Sequence, residues 1–129
     1  SYGNTIPFAA SPDELRERVR MIVTDPQRIK KTDRGNPDVC IAFKFHKLFN
    51  KEAVGQIEQD CRGACIGCVA CKKKLAEKMV TIMADMHVRR QEYVGKLDLM
   101  KDILDAGAKK AQVVAAETMA EVKAAMHLV

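Results

Sequence analysis

The chain has 129 residues, of which 47% are hydrophobic and 30% are charged, with a formal net charge of +5. At roughly 150 residues per domain, this length predicts one domain and excludes a complete two-domain enzyme. The apolar fraction is sufficient for one buried core, which excludes wholesale disorder. Trp is absent and aromatic residues are few, whereas strong helix formers are plentiful, so we expect an all-α fold.

The sequence contains neither a membrane span nor a pattern of disulfide pairs. No apolar run approaches the roughly 20 residues needed to cross a bilayer, and no basic stretch at the start leads into an apolar one, as in a secretory signal. We therefore expect a cytoplasmic protein. The five Cys residues would leave one over if they paired as disulfides, so metal binding is the better first interpretation.

Capping residues predict the first helix. Ser11 is followed by Pro12, and Glu14 lies three residues after the Ser, which is typical of a helix N-terminus. The helix is expected to end near residue 23, because the residue before Pro26 avoids the helical conformation. The following residues, 25–36, show no apolar periodicity and are expected to form a basic loop or a short hairpin.

Two further helices are expected before the cysteine-rich stretch. Asn36-Pro37 should begin the second helix by the same cap-plus-Pro pattern. A third, short helix is expected over residues 51–59 with Asn50 as its cap, and it should lead into a loop on which the cysteines start. The inward residues of the second helix are expected to be Val39, Cys40, Phe43, Leu48 and Phe49.

The C-terminal half is expected to be helical up to its end. Apolar spacing predicts a long helix from about Val69 that Gly95 ends. A helix over 97–104 should then be broken at Gly107 and followed by a last helix over 108–126. Four Met residues at helical spacing are expected to form a core stripe: Met79, Met83, Met86 and Met119.

The basic residues are concentrated in two segments. Residues 16–34 contain seven bases and three acids, and residues 62–78 contain five bases and one acid, whereas residues 98–129 contain four bases and five acids. A charge run often marks only a solvated helix face. The alternative is a phosphate-binding surface with strongly salt-dependent affinity, and the nearby cysteines favour it.

Four cysteines have the spacing of a metal site. Cys61, Cys68 and Cys71 stand as C-x6-C-x2-C, Cys40 lies upstream as a plausible fourth ligand, and Cys65 is a spare. Four thiolates suit either Zn²⁺ or a [4Fe–4S] cluster. Because only one C-x2-C pair remains after this assignment, the pattern favours iron–sulfur over zinc. The alternative is that these are reduced thiols packed as small apolar side chains.

Other catalytic patterns are weak. Cys61, Cys65 and Cys68 also match the spacing of radical S-adenosylmethionine enzymes, but that chemistry requires an α/β barrel for which this chain is too short. The three His residues lie on predicted helices among Lys and Arg, so we expect them to be solvated or packed. They are His46, His87 and His127.

Three stretches in chain order carry a family resemblance. Residues 1–6 match the end of a Lys-Met-Ser-Lys-Ser signature loop, with Ser1 as its last residue, and the segment after that loop. The pair Thr24-Asp25 matches a Val-Thr-Asp element, and residues 107–126 match a C-terminal helix signature, Gly-Ala-x-Lys-Ala followed by Ala-x2-Thr-Met-x2-Val-x3-Met. The chain thereby resembles the C-terminal part of the bacterial-type tryptophanyl-tRNA synthetases, which are class I aminoacyl-tRNA synthetases.

The resemblance implies an identity for the metal site. Some members of that family, typified by those of thermophilic bacteria, carry a [4Fe–4S] cluster on a C-x22-C-x6-C-x2-C pattern. This sequence matches it with Cys40, Cys61, Cys68 and Cys71, but departs from it in a first gap of x20 and in the additional Cys65.

The resemblance also implies a fold and a role. Residues 11–129 would form a helical anticodon-binding bundle with a Cys-ligated metal loop, and residues 1–10 would be a linker remnant that follows the signature loop. The partner would be the anticodon stem-loop of tRNA(Trp). A basic surface beside the cluster would contact the RNA, and its expected residues are Arg28, Lys30, Lys31, Arg34, Arg62, Lys72 and Lys73.

In the intact enzyme, a catalytic half outside this chain would bind ATP, Mg²⁺ and tryptophan and would build most of a homodimer. Ser1 is then the one catalytic-loop residue that this chain holds. The chain alone is therefore expected to be inactive, and it could be a monomer.

The competing hypothesis is a free-standing iron–sulfur or zinc module that binds nucleic acid and senses iron or redox state, with Cys65 as its reactive thiol. A native start codon next to Ser1 would favour this hypothesis. A catalytic half encoded upstream would favour the synthetase.

Overall fold

The computed structural model describes residues 4–128, and within them the regular secondary structure is helical throughout. The expected all-α fold is confirmed for this part of the chain, which contains no strand. Helices α1 to α5 and one 3₁₀ turn between α2 and α3 have these bounds: α1 Pro12–Arg20, α2 Ile41–Phe49, the 3₁₀ turn Lys51–Ala53, α3 Val54–Arg62, α4 Cys68–Tyr93 and α5 Leu97–Ala125.

Helix α1 begins as its capping residues predict. The hydroxyl of Ser11 accepts a hydrogen bond from the backbone N–H of Glu14 at 3.2 Å, and Pro12 occupies the first turn, where its missing N–H costs nothing. The helix ends at Arg20, earlier than expected. The last carbonyl oxygens find other partners there, because the N–H of Met21 and the ammonium of Lys72 both donate to them.

The prediction for the start of α2 was wrong. The side chain of Asn36 accepts from the N–H of Asp38 at 3.0 Å, which makes a local turn instead of a helix cap. The helix begins only at Ile41, with Cys40 as its N-terminal flanking residue. Of the five residues expected to face inward, Cys40 and Phe43 are buried and Phe49 is half-buried, whereas the other two are exposed: Val39 and Leu48.

Helix α3 reaches further than predicted and carries Cys61 in its last turn, so the cysteines do not all start on a loop. The expected cap at Asn50 was also wrong. Asn50 has no capping hydrogen bond, and its amide nitrogen lies 3.1 Å from Nδ1 of His46 instead.

The long helix α4 ends close to where Gly95 predicts, and that glycine has a φ of +87°, the left-handed conformation that suits Gly. The predicted break at Gly107 is absent, and α5 continues through it. A glycine inside a helix costs only about 1 kcal/mol relative to Ala, which neighbouring helix formers such as Ala106 and Ala108 offset.

The chain divides into two compact units at Val88, within α4. The core of the first unit comes from α1 to α4, and His46 is fully buried in it. Its largest apolar members are Leu15, Val19, Phe43, Ile57, Leu75, Met79 and Met83. In the second unit, none of the described residues of α5 is buried. The core stripe predicted for four Met residues is confirmed only for Met79 and Met83, because Met86 on α4 and Met119 on α5 are exposed.

No helix among the described residues is long and apolar enough to cross a membrane.

Truncation of Leu75 should destabilise the first unit because this side chain is fully buried. We expect Leu75→Ala to lower the free energy of unfolding by about 2–5 kcal/mol in urea titrations. The matched control is Leu48→Ala, since Leu48 is 65% exposed; it should change the stability by no more than about 0.5 kcal/mol. Equal losses of stability in the two variants would contradict the burial of Leu75 in the core.

Candidate functional site

Three helix ends bring the predicted ligand cysteines into one region. Cys40 lies directly before α2, Cys61 lies in the last turn of α3, and Cys68 is the first residue of α4. Cys71 follows Cys68 by three residues, which places both on the same face of that helix. We call Cys40, Cys61, Cys68 and Cys71 the four-thiol site.

The thiols of this site are close enough to interact electrostatically. Burial raises the pKa of Cys71 to about 12, and the other three thiols contribute to that rise. Burial also raises the pKa of Cys61, against the opposing effect of the Arg28 guanidinium. Within residues 4–128, however, no three His, Cys, Asp or Glu side chains are placed closely enough to hold a metal ion directly.

The backbone around Cys61 is tightly packed. The N–H of Gly35 donates to the carbonyl oxygen of Cys61 at 3.0 Å. A Cβ atom added at Gly35 would lie 2.5 Å from Sγ of Cys61, closer than real side chains approach. Glycine is therefore needed at this position for the loop to approach the thiol.

Arg28 connects the four-thiol site to the basic loop. Its Nη1 donates to Sγ of Cys61 at 3.9 Å, and its Nη2 donates to the carbonyl oxygen of Lys31 at 2.9 Å. Its third nitrogen, Nε, is buried and has no hydrogen-bond partner among the described residues. Buried donors are nearly always paired, so this N–H has capacity for an additional acceptor.

A buried histidine positions Cys71 from the other side. Because the amide of Asn50 donates to Nδ1 of His46, the neutral imidazole carries its proton on Nε2 and donates it to the carbonyl oxygen of Cys71, 3.2 Å away. Burial lowers the pKa of His46, which favours this neutral form. Nε2 also lies 3.4 Å from Sγ of Cys71.

In residue type these features suit a thiolate-bound metal centre, although no three of the described ligand side chains are placed to hold an ion directly. The donor set consists of four thiols, glycine allows close backbone approach, and the guanidinium of Arg28 donates to one of the sulfur atoms. Cys65 has different surroundings, since it is exposed and its thiol donates to the carbonyl oxygen of Gly63 at 3.6 Å.

A groove of about 590 Å³ lies beside the four-thiol site and brings the two basic segments of the sequence together. One wall is the loop after α1 and the other is the first turns of α4, and Cys68 is part of the lining. The alkyl chain of Lys31 lies against Gly67, since a Cβ there would be 3.5 Å from Lys31 Cγ. We call this the basic groove; its principal residues are Arg28, Ile29, Lys30, Lys31, Val69 and Lys73.

Two aspartates that sequence reasoning did not single out for this role hold the loop wall in shape. Asp25 is buried, and its two carboxylate oxygens accept from the backbone N–H groups of Gln27 and Asn36 at 2.9 and 2.8 Å, which ties both ends of the loop together. Asp33 accepts from the N–H groups of Ile29 and Lys30 at 3.1 and 2.7 Å. A signal for this role of Asp25 was its place directly before a proline, where a turn commonly begins.

Of the seven residues predicted to contact RNA, Lys30, Lys31 and Lys73 line the groove, and Arg28 lines it while bound to Cys61 and Lys31. Lys72 donates to the carbonyl oxygens of Arg20 and Ile22 at 2.6 and 3.0 Å and so holds the end of α1.

The other two predicted contacts, like Lys72, lie outside the groove lining. Arg62 pairs with Glu58 and Asp38, both at 2.9 Å, and Arg34 is exposed. Ser1, the predicted catalytic-loop residue, lies outside the described residues.

Comparison with known proteins gives one consistent result, although no family model matches the chain. The tryptophan–tRNA ligase of Aquifex aeolicus is 38% identical over 130 residues, which cover 99% of this chain and 33% of that protein. The tryptophan–tRNA ligases of Thermotoga maritima and Deinococcus radiodurans are 37% and 36% identical, over 99% and 95% of this chain and 40% and 38% of theirs. The chain thus spans between a third and two fifths of the length of these curated relatives, to which it is homologous. The predicted relationship to tryptophan–tRNA ligases is confirmed at this level.

The burial of the four-thiol site predicts an order of thiol reactivity in the metal-free protein. Alkylation requires the thiolate, so at a pH of about 8 Cys71, with a pKa of about 12, should react far more slowly than the exposed Cys65. Mass spectrometry of peptides after timed iodoacetamide treatment would give the order. Modification of Cys71 as fast as Cys65 would contradict the burial described here.

Proposed function

We propose that this chain is the anticodon-binding, C-terminal part of a tryptophan–tRNA ligase and that it binds tRNA(Trp) through the basic groove. The observation that carries the proposal is identity of 36–38% to such ligases along nearly the whole chain. Similarity to one kind of ligase along nearly the whole chain favours this proposal over the competing hypothesis of a free-standing sensor module.

The charge of the basic groove supports an RNA partner. Lys30, Lys31 and Lys73 stand around it, and no Asp or Glu is among the described residues that line it. Ammonium groups of this kind bind phosphates as point charges and release counterions from the nucleic acid. The groove therefore suits the backbone of a tRNA loop.

We further propose that Cys40, Cys61, Cys68 and Cys71 hold a [4Fe–4S] cluster, with Zn²⁺ as the alternative occupant. Such a centre would supply a covalent cross-link between the ends of α2, α3 and α4. Arg28, which donates to Cys61, would then join the centre to the loop wall of the groove through Lys31. The role of the metal in this proposal is to shape the RNA-binding surface.

The rest of the reaction belongs to the proposed intact ligase. Its catalytic half would bind ATP, Mg²⁺ and tryptophan and would form the homodimer, while this chain would select the tRNA by its anticodon stem-loop. Aminoacylation is thus assigned to the intact protein, in the cytoplasm.

Loss of one proposed ligand should abolish the metal centre. Anaerobically purified wild type should be brown and contain about four irons and four sulfides per chain. Cys71→Ser should be colourless, whereas the matched control Cys65→Ser should keep the metal, because Cys65 makes its contact outside the four-thiol site. Metal and sulfide analysis with visible absorption measures this.

Metal loss in Cys65→Ser would overturn the ligand assignment. One zinc per wild-type chain without colour would overturn the iron–sulfur assignment and leave a zinc-bound four-thiol site.

Charge reversal in the groove should weaken tRNA binding. We expect the double variant Lys30→Glu/Lys31→Glu to bind tRNA(Trp) about tenfold or more weakly, and to reduce the slope of log affinity against log salt by about one for each phosphate that is no longer neutralised. Fluorescence anisotropy over a salt series measures both quantities. The matched control is Lys109→Glu/Lys110→Glu on the exposed surface of α5. Equal effects of the two double variants would show only a general charge effect and contradict a groove-specific contact.

A further inference from the structure

The basic groove contains two apolar side chains that its cations do not explain. Ile29 is 87% exposed and Val69 is 78% exposed, and both line the groove. A single exposed apolar residue is ordinary on a protein surface. Two of them inside one groove of lysines form an apolar contact area surrounded by positive charge.

The backbone that carries each of these side chains is fixed by hydrogen bonds or helix packing. The N–H groups of Ile29 and Lys30 are bound by the carboxylate of Asp33 at 3.1 and 2.7 Å, and the N–H of Asp33 donates back to the carbonyl oxygen of Lys30. Val69 lies in the first turn of α4, the helix that Leu75 anchors in the core. The exposure of the two residues is therefore a feature of ordered backbone, so a ligand would lose little entropy in using it.

An unpaired nucleotide has the chemistry that this arrangement can bind. Its base offers an apolar face and its phosphate a negative charge, and in RNA loops the bases are commonly splayed out toward the protein. They usually stack on aromatic side chains or arginine, whereas the apolar contact in this groove comes from Ile29 and Val69. The volume of about 590 Å³ lies within the range of about 300–1,000 Å³ typical of small-ligand sites. A purely acidic peptide would use the same lysines but would leave Ile29 and Val69 without an apolar partner.

We infer that the basic groove seats one unpaired nucleobase of the tRNA anticodon loop against Ile29 and Val69, with the adjoining phosphates on Lys30, Lys31 and Lys73. This inference rests on the proposed function. It assigns base contact to the two apolar residues and phosphate contact to the lysines, and the two kinds of contact respond differently to salt.

The test uses the full chain, with equal metal content in every variant, and anticodon stem-loop hairpins of tRNA(Trp). One hairpin is intact, and in the others each anticodon-loop nucleotide in turn lacks its base. Ile29→Ala and Val69→Ala should each weaken binding of the intact hairpin about 5- to 20-fold without changing the salt slope. The matched control is Val88→Ala, since Val88 is 61% exposed on the same helix.

One abasic hairpin should bind wild type more weakly by a similar factor, and on that hairpin the two substitutions should cost nothing more. The inference is overturned if both variants bind the intact hairpin like wild type. It is also overturned if they lose affinity equally for every hairpin, because Ile29 and Val69 would then contact no particular base. If wild type does not distinguish the intact hairpin from one of scrambled sequence, the proposed function itself fails, and the nucleobase seat fails with it.

Discussion

The rotation of α4 about its axis is the constraint on which the rest of the site depends. Leu75 and Met79 are buried almost completely against α1 to α3, and this burial fixes which side of the helix faces inward. One turn before Leu75, Cys71 consequently faces the interior, where it meets His46. On the opposite side, Val69 and Lys73 are left outside, where they line the groove. The packing of this one helix therefore turns Cys71 inward and leaves Val69 and Lys73 on the groove side.

Arg28 connects the four-thiol site to the loop wall of the basic groove. Its guanidinium lies between Cys61 and the carbonyl oxygen of Lys31, so the position of the thiol and the shape of the groove wall are mechanically related. A charge-assisted hydrogen bond of this kind is worth more than a neutral one. With a metal bound, four thiolates would carry negative charge beside that guanidinium, which should strengthen the same contact. In the function that we propose, this contact is the route by which a metal centre would affect the shape of the RNA-binding groove.

Many features of the fold could be predicted from the sequence, because the signals were local. The Ser11 cap, the Gly95 stop and the spacing of Met79 and Met83 are read within a few residues, and the structure agrees with each. The start of α2 could not be predicted, because Asn36 can cap a helix or make a turn and only tertiary contacts decide between them. The unbroken α5 was missed because a glycine's cost is small beside a long run of helix formers.

The candidate site, too, could be predicted only in part from the sequence. Spacing and charge counts indicated the cysteines and the two basic segments, but not which basic side chains are already engaged. Arg62 binds carboxylates, one of them on the distant Asp38, and Lys72 binds carbonyl oxygens at the end of α1. His46 was expected to be solvated or packed, and its burial beside Cys71 shows that it is packed. The roles of Asp25 and Asp33 depend on loop geometry that no pattern of residue types reveals.

The central claim of the proposed function is that a metal centre on the four-thiol site shapes a groove that binds tRNA(Trp). The decisive measurement is the affinity of one anaerobic preparation for tRNA(Trp) before metal removal, after it, and after reconstitution. We expect the affinity to fall on removal and to return on reconstitution, while the variant Arg28→Ala starts from weak binding and responds less. Equal affinity in all three states of the wild type would contradict a metal-shaped groove.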